Sequence, residues 1–280
     1  MIRQQMVGNT PLATTQALRA FCSSEANSKG LRAGGNPCLV TLCASPPGQA
    51  PERSAVTHCL SWPLGQQRAG VSCWTAKGTP IQCCGHGLMC CAASWINRWG
   101  QNGTLIMNGS EVACRVTGQQ VWLGFTPLAP EACEIPAWCR QYFEVEPDAA
   151  ATAGAADGYL ILAWPAGFEL ESLPTPNESL AQHTKRSLIV TCAAENQLAQ
   201  QAESIHYRYF APQYGVSEDA ATGSAMRVLA SFWQQRGLGQ ALTAYQCSTE
   251  GGLLFSRIEE GKVWIGGWTS TMAMETAKLE

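Results

Sequence analysis

The chain has 280 residues, of which 46% are hydrophobic and 14% charged, with a formal net charge of −3 at pH 7. That is too apolar for a disordered chain and long enough for one large domain or two ordinary ones. The acidic balance without a Lys/Arg cluster excludes a nucleic-acid footprint. No apolar run reaches the ~18 residues a membrane span requires, and the N-terminus M-I-R-Q-Q-M-V-G-N-T-P-L lacks a signal-like apolar core, which points to a cytoplasmic protein.

In chain order, Leu18–Phe21 suits a first strand, and Gly34–Leu42 reads as a Gly-Asn-Pro turn into a buried strand at Cys38–Leu42. Pro51 favours the first turn of a short helix over Glu52–Leu60. Val71–Thr75 reads as a strand, and Thr79–Trp99 as a small-residue turn followed by an apolar helix. Thr104–Met107, Glu111–Thr117 and Gln120–Phe125 alternate as strands across N-G and T-G turns. Residues 144–157 are rich in Ala, Pro and Gly, which places a boundary near 130–155. The domains expected are therefore 1–130 and 158–280, with a linker at 131–157. The second carries strands at Gly158–Trp164, Ser187–Ala193 and His206–Phe210 and a polar helix-and-turn region at Glu169–His183. Further strands are expected at Leu242–Cys247, Leu253–Ile258 and Val263–Trp268, before a charged tail at 270–280 that is free to return to the first domain.

Fourteen cysteines in a chain without a secretion signal argue against a disulfide framework. The pairs Cys83–Cys84 and Cys90–Cys91 do not match metal-ligand spacing, so no metal is expected and most of these residues are read as small buried hydrophobes.

The stretch Ser217–Ala230, S-E-D-A-A-T-G-S-A-M-R-V-L-A, sets two carboxylates and a Thr-Gly-Ser turn before an apolar helix. Helix N-termini present unpaired N–H groups and a positive dipole end, and small residues let an anion approach them. Alone, the motif suits equally a capped helix and an anion site with Asp219 as a proton carrier beside it. A second copy tips the balance. C-G-H-G-L-M-C-C-A-A-S-W-I-N-R-W-G (84–100) aligns without a gap on A-T-G-S-A-M-R-V-L-A-S-F-W-Q-Q-R-G (221–237), pairing Met89 with Met226, Ala93 with Ala230, Ser94 with Ser231 and Gly100 with Gly237. V-W-L-G at 121–124 echoes V-W-I-G at 263–266. The chain therefore reads as a duplicated α/β unit whose two helix N-termini form a pocket for a carboxylate.

These motifs resemble the PhzF-like family of the diaminopimelate epimerase superfamily. The matching residues are Gly35-Asn36-Pro37, Cys84-Gly85-His86-Gly87, Arg208–Pro212, Gly215-Val216, Glu218–Ala225, Gln246-Cys247-Ser248 and Gly251-Gly252; the match is continuous over 206–267 and confined to two islands before it. The resemblance implies an α+β, diaminopimelate epimerase-like fold of two pseudo-symmetric domains, each a curved barrel-like sheet around a central helix, with the site in the inter-domain cleft. It implies a homodimer and a cofactor-independent isomerase or epimerase that moves a proton on a small carboxylate-bearing metabolite. Carried over, it assigns Asp219, His86 and Cys84 to proton transfer, and Asn36, Gly85, Gly87, Glu218, Thr222, Gly223 and Ser224 to substrate binding. A positioned base and stabilisation of the developing charge are what such a reaction needs.

Three departures qualify the resemblance. Trp62 stands where the family's L-S-E-T glutamate is expected, Ala220 replaces a proline, and Cys84 aligns with Ala221, which excludes a symmetric two-thiol mechanism. Loss of the glutamate leaves open a member that binds a small anion without turning it over.

Overall fold

The computed structural model describes residues 14–28, 30–117, 120–195 and 203–274. The elements in order are β1 (Thr14–Ala20), α1 (Ser24–Ser28), β2 (Asn36–Leu42), β3 (Thr57–Gly65), β4 (Arg68–Trp74), β5 (Pro80–Ile81), α2 (Gly85–Trp99), β6 (Asn102–Met107), β7 (Ser110–Thr117) and β8 (Gln120–Phe125). There follow β9 (Glu131–Cys133), α3 (Cys139–Tyr142), β10 (Ala149–Ala153), β11 (Tyr159–Ala163), α4 (Leu180–His183), β12 (Ser187–Ala193), β13 (Glu203–Phe210), α5 (Gly223–Gln235), β14 (Ala241–Gln246), β15 (Gly252–Glu259) and β16 (Lys262–Thr271). Two compact units divide them. The first is drawn from Met1–Cys22, Gly35–Phe125 and Gly266–Glu280, the second from Ser23–Gly34 and Thr126–Ile265.

In the first unit β1 pairs antiparallel with β2, β2 parallel with β3, β3 antiparallel with β4, β4 parallel with β6, and β6 antiparallel with β7. β1 also pairs with the end of β16 through Leu18–Thr271 and Ala20–Thr269, which closes the sheet. A parallel step needs a crossover, and α2 is the crossover from β4 to β6. Its residues Leu88, Met89, Cys90, Cys91 and Ala92 are consecutive and all buried, so the helix is covered on every side, as its apolar sequence requires. It packs on β1, β2, β3, β6 and β8. Each large side chain enclosed in this way, such as Leu88 or Met89, contributes about 1.5–3 kcal/mol.

The second unit repeats the same succession of orientations. β10 pairs antiparallel with β11, β11 parallel with β12, β12 antiparallel with β13, β13 parallel with β14, and β14 antiparallel with β15. Helix α5 makes the β13-to-β14 crossover and packs on β14 and β15. Two like halves, each a sheet with one long helix packed on it, fit the duplication read from the repeat and give the α+β class that the resemblance implied. The hairpins obey their turns: Asn108-Gly109 and Glu260-Gly261 both have positive φ at the two central residues, as a twisted two-residue loop demands.

Three details differ from the sequence reading. Residues 57–65 form β3 rather than the end of a helix over Glu52–Leu60. Pairing with β2 on one side and β4 on the other outweighs the helix-start signal of Pro51. Alternation then puts Cys59 and Ser61 on the face toward α2, where Trp95 Nε1 donates to Ser61 Oγ at 2.8 Å. Trp62 points to the opposite face and lies flat over Gly70, whose Cβ, were there one, would sit 2.3 Å from the indole.

Residues 131–157, expected as a linker, carry β9, α3 and β10. Cys139, Phe143 and Ala150 there are buried with Leu160, Leu162, Trp164, Leu188, Val190 and Phe210 in a core cluster. The alanines that suggested a linker are the small residues of a buried strand. The tail expected at 270–280 begins inside β16, and its last six residues lie outside the described residues.

Candidate functional site

Each unit presents the start of its long helix, and the two starts are built differently. In the second unit Thr222 is the N-cap of α5 and makes no side-chain capping bond. Its hydroxyl instead donates to Asp219 Oδ2 at 2.6 Å. The other Asp219 oxygen accepts from the Ala220 N–H at 3.0 Å. Gly223, Ser224 and Ala225 therefore begin the helix with no acidic residue in its first turn and no cap from Thr222. An uncapped first turn holds positive partial charge and outward N–H groups.

The loop before α5 is fixed by neighbouring strands. Gln246, fully buried on β14, accepts from the Thr222 N–H at 2.6 Å and donates to the Asp219 carbonyl at 2.5 Å and to Thr222 Oγ1 at 3.2 Å. Ser248 Oγ donates to the Ala220 carbonyl at 2.7 Å, and Tyr207 on β13 donates to the Thr222 carbonyl at 3.2 Å. The sequence motif containing Gln246 and Ser248 had suggested no role for either. The signal was the place of Gln246 at the end of a buried strand, with Ser248 in the turn just after it; a buried amide must find partners, and those partners are in the site loop.

Glu218 is held by Arg208. Nε meets Oε1 at 2.7 Å and Nη2 meets Oε2 at 3.0 Å, with side-chain exposures of 7% for Arg208 and 16% for Glu218. Arg208 also donates to the Leu170 carbonyl at 3.1 Å, the Leu173 carbonyl at 2.5 Å and Thr175 Oγ1 at 2.8 Å. The residue before Asp219 is thus anchored through a bidentate pair.

In the first unit Cys84 is the N-cap of α2, again without a side-chain capping bond. Gly85 and Gly87 are buried in its first turn, and Asn36 is buried at the start of β2. His86 is half-buried. Its Nδ1 lies 3.7 Å and its Nε2 3.8 Å from Cys84 Sγ. Near-equal distances align the sulfur with neither nitrogen, so this is close contact and not a directed thiol–imidazole bond.

Other thiols surround Cys84. A Cβ on Gly87 would lie 2.6 Å from Cys59 Sγ, 2.9 Å from Cys84 Sγ and 3.1 Å from Cys73 Sγ, so three sulfurs converge where only glycine fits. The neighbouring thiols of Cys59 and Cys73 hold the Cys84 thiol well below the ordinary range, outweighing the burial that opposes ionisation; His86 adds to the effect. Burial holds Cys59 and Cys73 well above that range. The sequence reading missed these two neighbours because they come from separate strands, one each on β3 and β4. Among the described residues no group of three His, Cys, Asp or Glu side chains is arranged to hold a metal ion, and no helix is long and apolar enough to cross a membrane.

Comparison with known proteins follows the same division. A family model described as "Phenazine biosynthesis-like protein" matches residues 145–273. The phenazine biosynthesis-like domain-containing protein of Bos taurus is 43% identical over 103 residues, which are 35% of this chain and 36% of that protein. The chain thus matches little more than a third of that relative's length. An uncharacterized isomerase of Vibrio cholerae is 29% identical over 182 residues, covering 64% of this chain and 61% of that protein. Among solved structures, a phenazine biosynthesis protein of the PhzF family from Enterococcus faecalis aligns with a TM-score of 0.76 at 20% identity, over 93% of this chain and 97% of the other.

Proposed function

We propose that this chain is a member of the phenazine biosynthesis-like, PhzF-like family, which its matches over residues 145–273 support, and that it is an isomerase of epimerase type acting on a small carboxylate-bearing metabolite. The observation that carries this reading is the start of α5. Thr222, the natural cap, is turned away onto Asp219, and the first turn is left for an outside anion. The N–H groups at Gly223 and Ser224, with the Ser224 hydroxyl, hold the substrate carboxylate. Asp219, anchored beside them, exchanges a proton with the adjacent carbon.

The reaction needs a base, an acid and charge stabilisation. A proton leaves one carbon, the resulting charge spreads into the carboxylate held at the helix start, and a proton returns to the other face or to a conjugated carbon. Bond making and breaking balance without a cofactor. Cys84 and His86 are the candidates of the first unit for the second proton carrier; a helix N-terminus and neighbouring donors favour the thiolate form. Gly85 and Gly87 follow that thiol in the first turn of α2, and Asn36 is carried as a further substrate-binding residue from the resemblance.

The test is solvent exchange. A panel of α-amino and cyclic carboxylic acids is incubated with the protein in D₂O, and deuterium entry into C–H positions is followed by NMR. Exchange by wild type that falls by about 10²-fold or more in Asp219→Asn, the scale of general acid–base catalysis, supports the assignment. Undiminished exchange in that variant removes Asp219 from the chemistry. Absence of exchange, with a carboxylate still raising the melting temperature, refutes the isomerase reading.

A further inference from the structure

Six of the fourteen cysteines gather inside the first unit: Cys38 on β2, Cys59 on β3, Cys73 on β4, Cys84 at the cap of α2, and Cys90 and Cys91 within it, all buried and none in a disulfide. As isolated hydrophobes they would need no mutual contact. Instead Cys38 Sγ lies 3.7 Å from Cys59 Sγ, and the sulfurs of Cys59, Cys84 and Cys73 all fall within 3.1 Å of one point above Gly87. We propose that Cys84 and Cys59 form a redox modification site: hydroperoxide oxidises Cys84, and Cys59 resolves it to a reversible intramolecular disulfide.

The roles follow from position. Cys84 is the thiol at the helix start, with the His86 ring against it and the sulfurs of Cys59 and Cys73 converging with its own above Gly87, the setting that favours a nucleophilic thiolate. Cys59 Sγ lies nearest the point above Gly87 on which the Cys84 and Cys73 sulfurs also converge, and comes from β3. The Cys84 thiolate attacks a peroxide oxygen, the O–O bond breaks, and Cys84 becomes a sulfenic acid while the leaving alkoxide or hydroxide takes up a proton. The Cys59 sulfur then attacks the sulfenic sulfur, the S–O bond breaks, and water leaves with the Cys59 proton. Two thiols and one hydroperoxide give one disulfide, one water and one alcohol, or two waters from hydrogen peroxide itself. Cys84 is only 4% exposed, so a small oxidant reaches it more readily than a bulky alkylating agent. The proposal stands whether or not Cys84 moves a proton in catalysis, because its readout is a covalent bond.

The full chain is treated with a slight excess of hydrogen peroxide, unfolded in guanidinium chloride with N-ethylmaleimide so that every remaining thiol is blocked, and digested with trypsin without reduction. The expected product links peptide 54–68, which contains Cys59, to peptide 78–98, which contains Cys84. It is lighter by two hydrogens than its parts, disappears with dithiothreitol, and is absent from Cys84→Ser. In Cys59→Ser, Cys84 remains as a sulfenic acid that dimedone traps; this variant decides the matter if Cys84→Ser does not fold. A link that persists in Cys84→Ser, a link from peptide 54–68 to the Cys38 peptide, or oxidation confined to exposed Cys83 and Cys133 overturns the proposal, as does full recovery of maleimide-labelled Cys84.

Discussion

Replacing Glu218 with Gln tests how the site loop is held. The Arg208–Glu218 pair is nearly enclosed, at 7% and 16% side-chain exposure, and its two contacts are 2.7 and 3.0 Å. Removing one partner of a buried pair costs about 3–5 kcal/mol, because the remaining charge stays buried. Gln keeps one neutral acceptor opposite the guanidinium, a bond worth about 1 kcal/mol, and three further acceptors of Arg208 remain at Leu170, Leu173 and Thr175. The expected loss is therefore about 2–4 kcal/mol, which at about 2–4 °C per kcal/mol for a chain of this order lowers the melting temperature by roughly 4–16 °C. Differential scanning calorimetry and urea titration measure it.

Both Glu218 oxygens are engaged by Arg208, so the folded variant should bind a carboxylate probe with little change in affinity. Replacing the pair together, as Arg208→Met with Glu218→Leu, should recover most of the stability, since well-packed apolar substitutes for a buried pair are often neutral. A loss below about 1 kcal/mol for Glu218→Gln would show that the pair carries no buried charge. Intact stability with lost carboxylate binding would return Glu218 to direct ligand contact and refute the reasoning.

Gly87→Ala should destabilise the first unit: alanine gains about 1 kcal/mol of helix propensity, but its methyl meets three buried sulfurs at 2.6–3.1 Å, and overpacking of this kind costs about 1–3 kcal/mol. Adding Cys59→Ala should restore part of the loss, a coupling that a double-mutant cycle in urea reads directly. Gln246→Leu should lower stability by about 1–3 kcal/mol for each buried group left unpaired at Thr222 and Asp219, and should reduce deuterium exchange more than it weakens carboxylate binding. His58 and His206 are both held below the ordinary histidine range, chiefly by burial. The unfolded chain then binds more protons than the folded one as pH falls below about 6.5, so stability is present at pH 7 and declines toward pH 5; a melting temperature that rises over that interval would contradict the sign.

The duplication was legible because it rests on local pattern. The two helices keep their small-residue start, their apolar run and their closing glycine, and the strand orientations repeat around them. β3 was not legible because its identity depends on two partner strands distant in sequence. The supposed linker failed similarly: A-A-A-T-A reads as loop composition until β11 and the 160–190 core cover it. Asp219 and Cys84 were singled out from motif and helix start. Gln246, Arg208, Cys59 and Cys73, which hold them, come from strands and reveal themselves only when the register brings them in.

The position of Trp62 changes the meaning of the glutamate that the resemblance leads one to expect there. Alternation along β3 puts residue 62 on the face away from α2, with its indole over Gly70, while Cys59 and Ser61 face the helix. The residues packed around the α2 start include the thiols of Cys59 and Cys73, and a proton carrier supplied from there would be Cys84 with His86 beside it. That has a consequence a carboxylate would not share. If Cys84 carries a proton, deuterium exchange should fall in step with the fraction of chain carrying the Cys59–Cys84 link and return with dithiothreitol, while carboxylate binding at the α5 start persists. Exchange at the full rate in the linked protein would leave Asp219 to act without Cys84.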